Sequence, residues 1–316
     1  MSWWWAVAIV LPVVGGYLWF VRAMDRLEPE PAWVPPVCVL VGACAVAPLA
    51  AWLETVLLGQ TLGTSREGAV LLVRVLVEGG LGVGAAVLVG WTAARVSRVP
   101  GTQIDGALDG TIYVGLVALG FAVADSLALV LPRLRGQSVG TALVVQGVLL
   151  EALGRVTLAS LAGLGLGLAI ERPGSPLRWL WVLAGLGCQA ALQGGVTWLG
   201  HALGASRGWV VVAAAVALGW FVLLARLRTR EGLQVRAALA SEVAGGLLSA
   251  EELETVLQGR RVGKGAAARE REARRSALVR LALVALRRSR GEASKELATL
   301  ESKLRDELGR TTDASG

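Results

Sequence analysis

DGTIYVGLVALGFAVADS, Asp109 to Ser126, is an apolar run with an acid at each end. At a rise of about 1.5 Å per residue, such a run reaches most of the way across a bilayer as a helix, so it predicts a membrane span. Asp125, near the far end, does not suit lipid. A carboxylate in hydrocarbon costs roughly 2.5 kcal/mol or more even on lenient insertion scales, so it must face other protein or water. That makes Asp125 a candidate functional acid. The structural alternative is an acid paired with a nearby arginine, or one close enough to the interface to stay wet.

The rest of the chain agrees with a membrane reading. With 316 residues, 54% of them hydrophobic, and a mean hydropathy of +0.60, an ordinary soluble domain is excluded. The composition predicts an all-α fold, a polytopic membrane helix bundle. Apolar stretches of about 20 residues, each long enough to span, recur as far as Ala225 and then stop. Two parts follow: a multi-pass membrane domain over residues 1–227 and a basic, helical cytoplasmic tail over residues 228–316. The net charge is +7 and the pI about 10.1. Basic residues concentrate after Arg226 and alternate with acids, the pattern of a tail beside an anionic leaflet, and no nucleic-acid partner is expected. Cys38, Cys44 and Cys188 lie in apolar runs without paired spacing and suit small core positions. His201 is the only histidine in the chain, which excludes any multi-histidine metal site.

About seven spans are expected. The first, residues 3–20, lacks a basic n-region and a cleavage site, so it is a retained helix. Arg22 and Arg26 follow it, which puts the N-terminus outside, with Trp3, Trp4 and Trp5 at the outer interface. Asp25 to Pro31 is a rigid polar connector, because its alternating prolines forbid helix. The second span, residues 34–58, contains Glu54. The third, residues 70–91, holds Arg74 and Glu78 one turn apart, so an internal ion pair is the structural alternative for Glu78. The fourth is the opening stretch, ending at Leu131-Pro132.

The fifth apolar run, residues 139–170, is long and contains Gln146, Glu151 and Arg155. A tilted helix, a kink near Gly154, a re-entrant segment and a division into two spans all remain open. Glu151 and Arg155 have ion-pair spacing, and Gly163, Gly165 and Gly167 form a small-residue face for close packing. The sixth span, residues 179–199, carries Gln189 and Gln193. The seventh, residues 209–225, has no charge. An odd count returns the tail to the inside. There, Ser249 with Glu252 forms a capping box. A helix over residues 266–288 has Leu278, Leu281, Ala282 and Ala285 on one stripe, with Arg280 opposite. It either lies on the membrane or packs against its neighbours, and anionic lipid is the expected partner of the tail. A last charged helix covers residues 294–308.

Several of these stretches resemble the PrsW family of bacterial intramembrane proteases, in the clan that includes the CAAX proteases. That family carries an Asp-Gly opening, a Gly-Phe in mid-helix and an acid-Asn pair, matched here by Asp109-Gly110, Gly120-Phe121 and Asp125-Ser126. Residues 25–31, DRLEPEP, differ from the family signature Asp-Arg-Tyr-Glu-Pro-Glu-Pro only by Leu27 in place of Tyr. The order of tail helices is similar to that of actinobacterial PrsW-like proteins. The resemblance implies a multi-pass protein of the bacterial cell membrane, a cytoplasmic tail and membrane-spanning protein segments as partners.

The resemblance also implies a chemistry. A Glu-Glu pair followed by Lys, the acid-Asn pair and two intramembrane histidines would hold a water, directly or through a metal, for peptide hydrolysis. The Glu-Glu pair falls on Glu78-Gly79, and Gly82 stands at the Lys position. The two histidines fall near Arg155 and Gln193. Arginine stays protonated and glutamine binds no proton. His201 matches neither position. The candidate catalytic residues are therefore Glu78 and Asp125, with Arg155 and Gln193 at the histidine places, and no metal or cofactor is expected. The leading expectation is a pseudoprotease that binds membrane-protein segments. A divergent active protease, with Glu78 and Asp125 sharing the work and Gln193 as oxyanion donor, is the alternative. A non-enzymatic scaffold acting through its tail is the third.

Overall fold

A computed structural model of the chain describes residues 4–24, 31–59, 67–97, 104–136, 151–202, 207–245, 248–249, 251–254, 274, 277–282, 284–285 and 295–313. These residues form helices and turns, with no strand among them. Helix α1 is Trp4–Met24. An interrupted helix follows: α2 Val34–Val41, a π turn Gly42–Val46, and α3 Ala47–Gly59. Then come α4 Glu67–Ser97, α5 Ala107–Gly136, α6 Glu151–Ile170, α7 Trp179–Ala202, α8 Arg207–Ala244 and α9 Lys295–Asp313. The protein is an all-α, polytopic membrane helix bundle.

Among the described residues, Val34–Leu57, Val73–Val96, Ala107–Ala128 and Leu153–Ile170 are long and apolar enough to cross a membrane. Helices α1, α7 and α8 cover the other three stretches predicted as spans. Trp52, Leu88, Leu183, Trp198 and Leu218 point outward. Water would penalise that surface, whereas lipid accepts it.

Helix α5 is the centre of the bundle. Of its apolar window 78% is buried, against 22% for the window in α2 and α3. It packs along α6 and touches α2, the π turn and α4. Glycines set these approaches. A methyl group on Gly110 would run into the carbonyl oxygen of Gly163, and one on Gly163 into that of Gly110. Likewise a methyl on Gly42 would meet the Val117 carbonyl, and one on Gly120 the Val39 carbonyl. Backbones that touch in this way gain dispersion contact where lipid supplies no hydrophobic drive. The glycine face of α6 serves two neighbours: Gly163 and Gly167 meet α5, while Gly165 meets Trp181 and Gly185 of α7.

Both ends of this arrangement have local causes. Pro48 has no N–H and crowds the carbonyl four residues back, and the turn just before it widens, with the Ala47 N–H bonded five residues back to Gly42. At the start of α5, Asp109 Oδ2 accepts the Asp105 N–H at 3.0 Å, and Glu171 Oε1 accepts the Ala107 N–H at 3.0 Å. Two carboxylates thus face the positive helix terminus.

Some predicted boundaries shift. Helix α5 does not stop at Pro132 but runs on to Gly136, and α9 extends to Asp313. The connector Asp25 to Glu30 and residues 139–150 lie outside the described residues, as do Trp3 and the side chains of Trp4 and Trp5.

The chain divides into two compact units: Met1–Val21 with Pro31–Glu171 and Ser175–Leu224, and Arg22–Glu30 with Arg172–Gly174 and Ala225–Gly316. The second has its own apolar core, in which Leu239, Leu253, Leu278, Leu281, Leu304 and Leu308 are buried. The capping box forms: the Ser249 N–H donates to Glu252 Oε2 at 2.9 Å and the Glu252 N–H to Ser249 Oγ at 3.1 Å. Arg274 bonds Glu252 at 2.8 Å, and Arg305 joins Glu242 at 2.6 Å to Glu301 at 3.0 Å. Leu278, Leu281 and Ala282 are buried while Arg280 is exposed, so that amphipathic stripe packs against its neighbours.

Candidate functional site

Five charged side chains from four helices meet inside the first unit. Arg74 and Glu78 lie one turn apart on α4, and Arg74 Nε sits 2.9 Å from Glu78 Oε1. Its Nη2 reaches Asp125 Oδ2 of α5 at 3.4 Å, and its Nε lies 3.6 Å from Glu54 Oε1 of α3. From α6, Arg155 approaches the same two oxygens, Asp125 Oδ2 at 2.6 Å and Glu78 Oε1 at 3.8 Å. Both acids are therefore shared between two guanidiniums. The side chains of Glu78 and Arg155 are only 9% and 13% exposed. Among such buried groups, removing one partner costs about 3–5 kcal/mol, because it strands a charge.

A small cavity adjoins the network. Its volume is about 20 Å³, room for roughly one water. Its polar wall is Glu78, Arg155, Gln189 and Gln193, and Val117 and Phe121 contribute apolar surface. The Phe121 ring lies 5.2 Å from the Arg155 guanidinium, where its negative face helps hold the cation. Gln189 is buried, and its Oε1 has no hydrogen-bond partner among the described residues. Helix α7 also closes the place beside Glu78: a Cβ on Gly79 would lie 2.7 Å from both Gln189 Oε1 and Leu186 Cδ2.

The structure thus brings together the four candidate catalytic residues. Glu78, Arg155 and Gln193 line one cavity, and Asp125 is bound to Arg155. Asp125 has the arginine partner that its structural alternative requires. The side chains of Glu151 and His201 lie outside the described residues. Sequence reasoning did not place Glu54, Arg74 and Gln189 among the site residues. For Gln189 a signal existed, since its spacing to Gln193 puts both amides on one face of α7. For Glu54 the signal was an acid inside an apolar span, although its partner, on another helix, was not visible.

The remaining family dipeptides have separate jobs. Asp109 closes a helix terminus, Gly110 and Gly120 permit backbone contact, and Ser126 is buried with an Oγ that has no hydrogen-bond partner among the described residues.

Comparison with known families finds one match over residues 30–223, to the model described as PrsW family intramembrane metalloprotease. No curated protein and no solved structure matches the chain. That description implies a metal, which would need three or four nitrogen, oxygen or sulfur ligands. Among the described residues no group of three His, Cys, Asp or Glu is placed to hold one. The nearest carboxylates are each engaged by two guanidiniums, and a dication would have to settle beside those two positive charges. These residues do not fit a metal.

Proposed function

The chain belongs to the PrsW family of intramembrane proteases, and from that premise we propose that it is a pseudoprotease, a membrane protein that binds membrane-spanning segments without cutting them. Peptide hydrolysis needs a base to activate water and donors to stabilise the oxyanion. The observation that carries the proposal is the seat of Arg155, 2.6 Å from Asp125 and 3.8 Å from Glu78. A permanent cation stands where the resemblance puts a histidine, and it engages the two acids that would do the chemistry. Gln193, at the other histidine place, accepts no proton. What remains is an ion-paired polar centre beside a cavity for about one water, and the partner, a membrane-spanning segment, is taken from the family resemblance.

The setting proposed is a bacterial cell membrane with the tail in the cytoplasm. The three pieces of the second unit begin at Arg22, Arg172 and Ala225. They follow the first, fifth and seventh apolar runs, which alternation of spans assigns to one side. Arg226, Arg228 and Arg230 then favour the cytoplasmic face.

A second reading, a divergent active protease, is favoured by the cavity. Its room for roughly one water lies against Glu78 as base and Gln193 as donor. One comparison separates the two. Membrane-protein fragments are profiled in cells expressing the wild type or Glu78→Gln at matched, correctly inserted levels. The pseudoprotease reading expects identical patterns, and a fragment present only with the wild type would overturn it.

A further inference from the structure

The second unit contains a groove that the charged network does not use. It is an open cleft of about 430 Å³ between Met24 and one face of α8, lined there by Ala225, Arg228, Gly232, Leu233 and Arg236. Positions 225, 228, 232 and 236 follow one another by three or four residues, so they share a stripe of the helix. Nothing lies within 4 Å of where a Cβ on Gly232 would sit, so the floor is open. Arg236 is engaged by Glu254, and the Thr229 hydroxyl donates to the Ala225 carbonyl.

Arg228 differs from these. It is half-buried and has no hydrogen-bond or ion-pair partner among the described residues. A partly desolvated cation of this kind favours an anion beside it. The groove also has a distinctive place along the chain. It begins at Ala225, where the apolar run of α8 ends and the arginines begin. A helix leaving the bilayer presents such positions at the level of the lipid headgroups, where the cytoplasmic leaflet is anionic.

We propose that this groove binds one anionic glycerophospholipid, with its phosphate on Arg228 and its glycerol backbone against Met24 and Ala225. The apolar wall and the position at the end of the span favour a lipid over a free anion. This site lies on α8, apart from the Arg-rich helix that the sequence offered for lipid contact, and it does not depend on whether the charged network is catalytic.

The test uses the full-length protein in detergent, titrated with phosphatidylglycerol and, separately, with phosphatidylcholine, with bound lipid counted by native mass spectrometry. One phosphatidylglycerol should be retained in preference to phosphatidylcholine. Arg228→Gln should weaken it at least about tenfold, the worth of a charge-assisted hydrogen bond. Arg226→Gln removes the same charge from an exposed neighbour outside the groove and should change binding less than about twofold. Gly232→Leu keeps every charge, improves helix propensity and fills the floor, so it should also abolish retention. Equal losses for the two arginine variants would mean diffuse attraction and overturn the site. Wild-type binding by Gly232→Leu would do the same. Inorganic phosphate binding as tightly as phosphatidylglycerol would replace the lipid with a soluble anion.

Discussion

Arg155 puts a fixed positive charge 2.6 Å from Asp125, and the consequences begin with proton chemistry. An imidazole in that place would gain and release a proton near neutral pH, which a guanidinium does not do. Arg155 also gives the intramembrane acids a counter-ion, so their burial does not require a catalytic explanation. Arg74 does likewise for Glu78, and that pair was legible because both residues are on one helix. The partners of Arg155, on α4 and α5, were legible only through the resemblance, which puts it in one site with Glu78 and Asp125; spacing reports only neighbours within a helix and offered Glu151. Ser126 allows a sharper check. Its Oγ is buried without a hydrogen-bond partner among the described residues, so Ser126→Ala should leave the thermal midpoint in detergent unchanged or raise stability by about 1 kcal/mol. A clear loss would mean that the hydroxyl is bonded in the membrane and has a role.

The helices themselves were readable as apolar runs, because lipid forces every backbone group to be satisfied within its own segment. Their interruptions were not. The π turn at Gly42–Val46 depends on Pro48 and on the approach of α5, and only the proline is visible in the sequence. Pro132 looked like a helix end, yet α5 continues past it. The Gly163, Gly165 and Gly167 face was legible as a packing surface, although not its division between α5 and α7. Substitution at these contacts should be position-specific. Gly163→Val drives a side chain into the backbone of Gly110 and should lose folded protein, seen as loss of a monodisperse peak in size-exclusion chromatography. Gly154→Ala, in the same helix with nothing within 4 Å, should be neutral or stabilising by up to about 1 kcal/mol. Equal tolerance of both would show that α5 and α6 do not touch as described.

Across the whole molecule, the family match over residues 30–223 ends at the apolar part of α8. The tail beyond has a core and ion pairs of its own. Within the matched region, glycine contacts and a helix cap hold α5 and α6 together, while the polar centre joins α3, α4, α5 and α6 through arginines. That contrast separates two kinds of contact: backbone against backbone holds the helices, and ion pairs fill the polar centre. It also identifies what to measure. A double-mutant cycle of Arg155→Ala, Asp125→Ala and the pair, followed by reversible unfolding in mixed detergent, asks whether the two are partners in stability. Each single variant should lose about 3–5 kcal/mol, and the double should lose less than the sum by at least about 1 kcal/mol. Additive losses, or single variants as stable as the wild type, would mean that Asp125 is kept for chemistry at the expense of stability and would contradict the ion-paired, non-hydrolytic site.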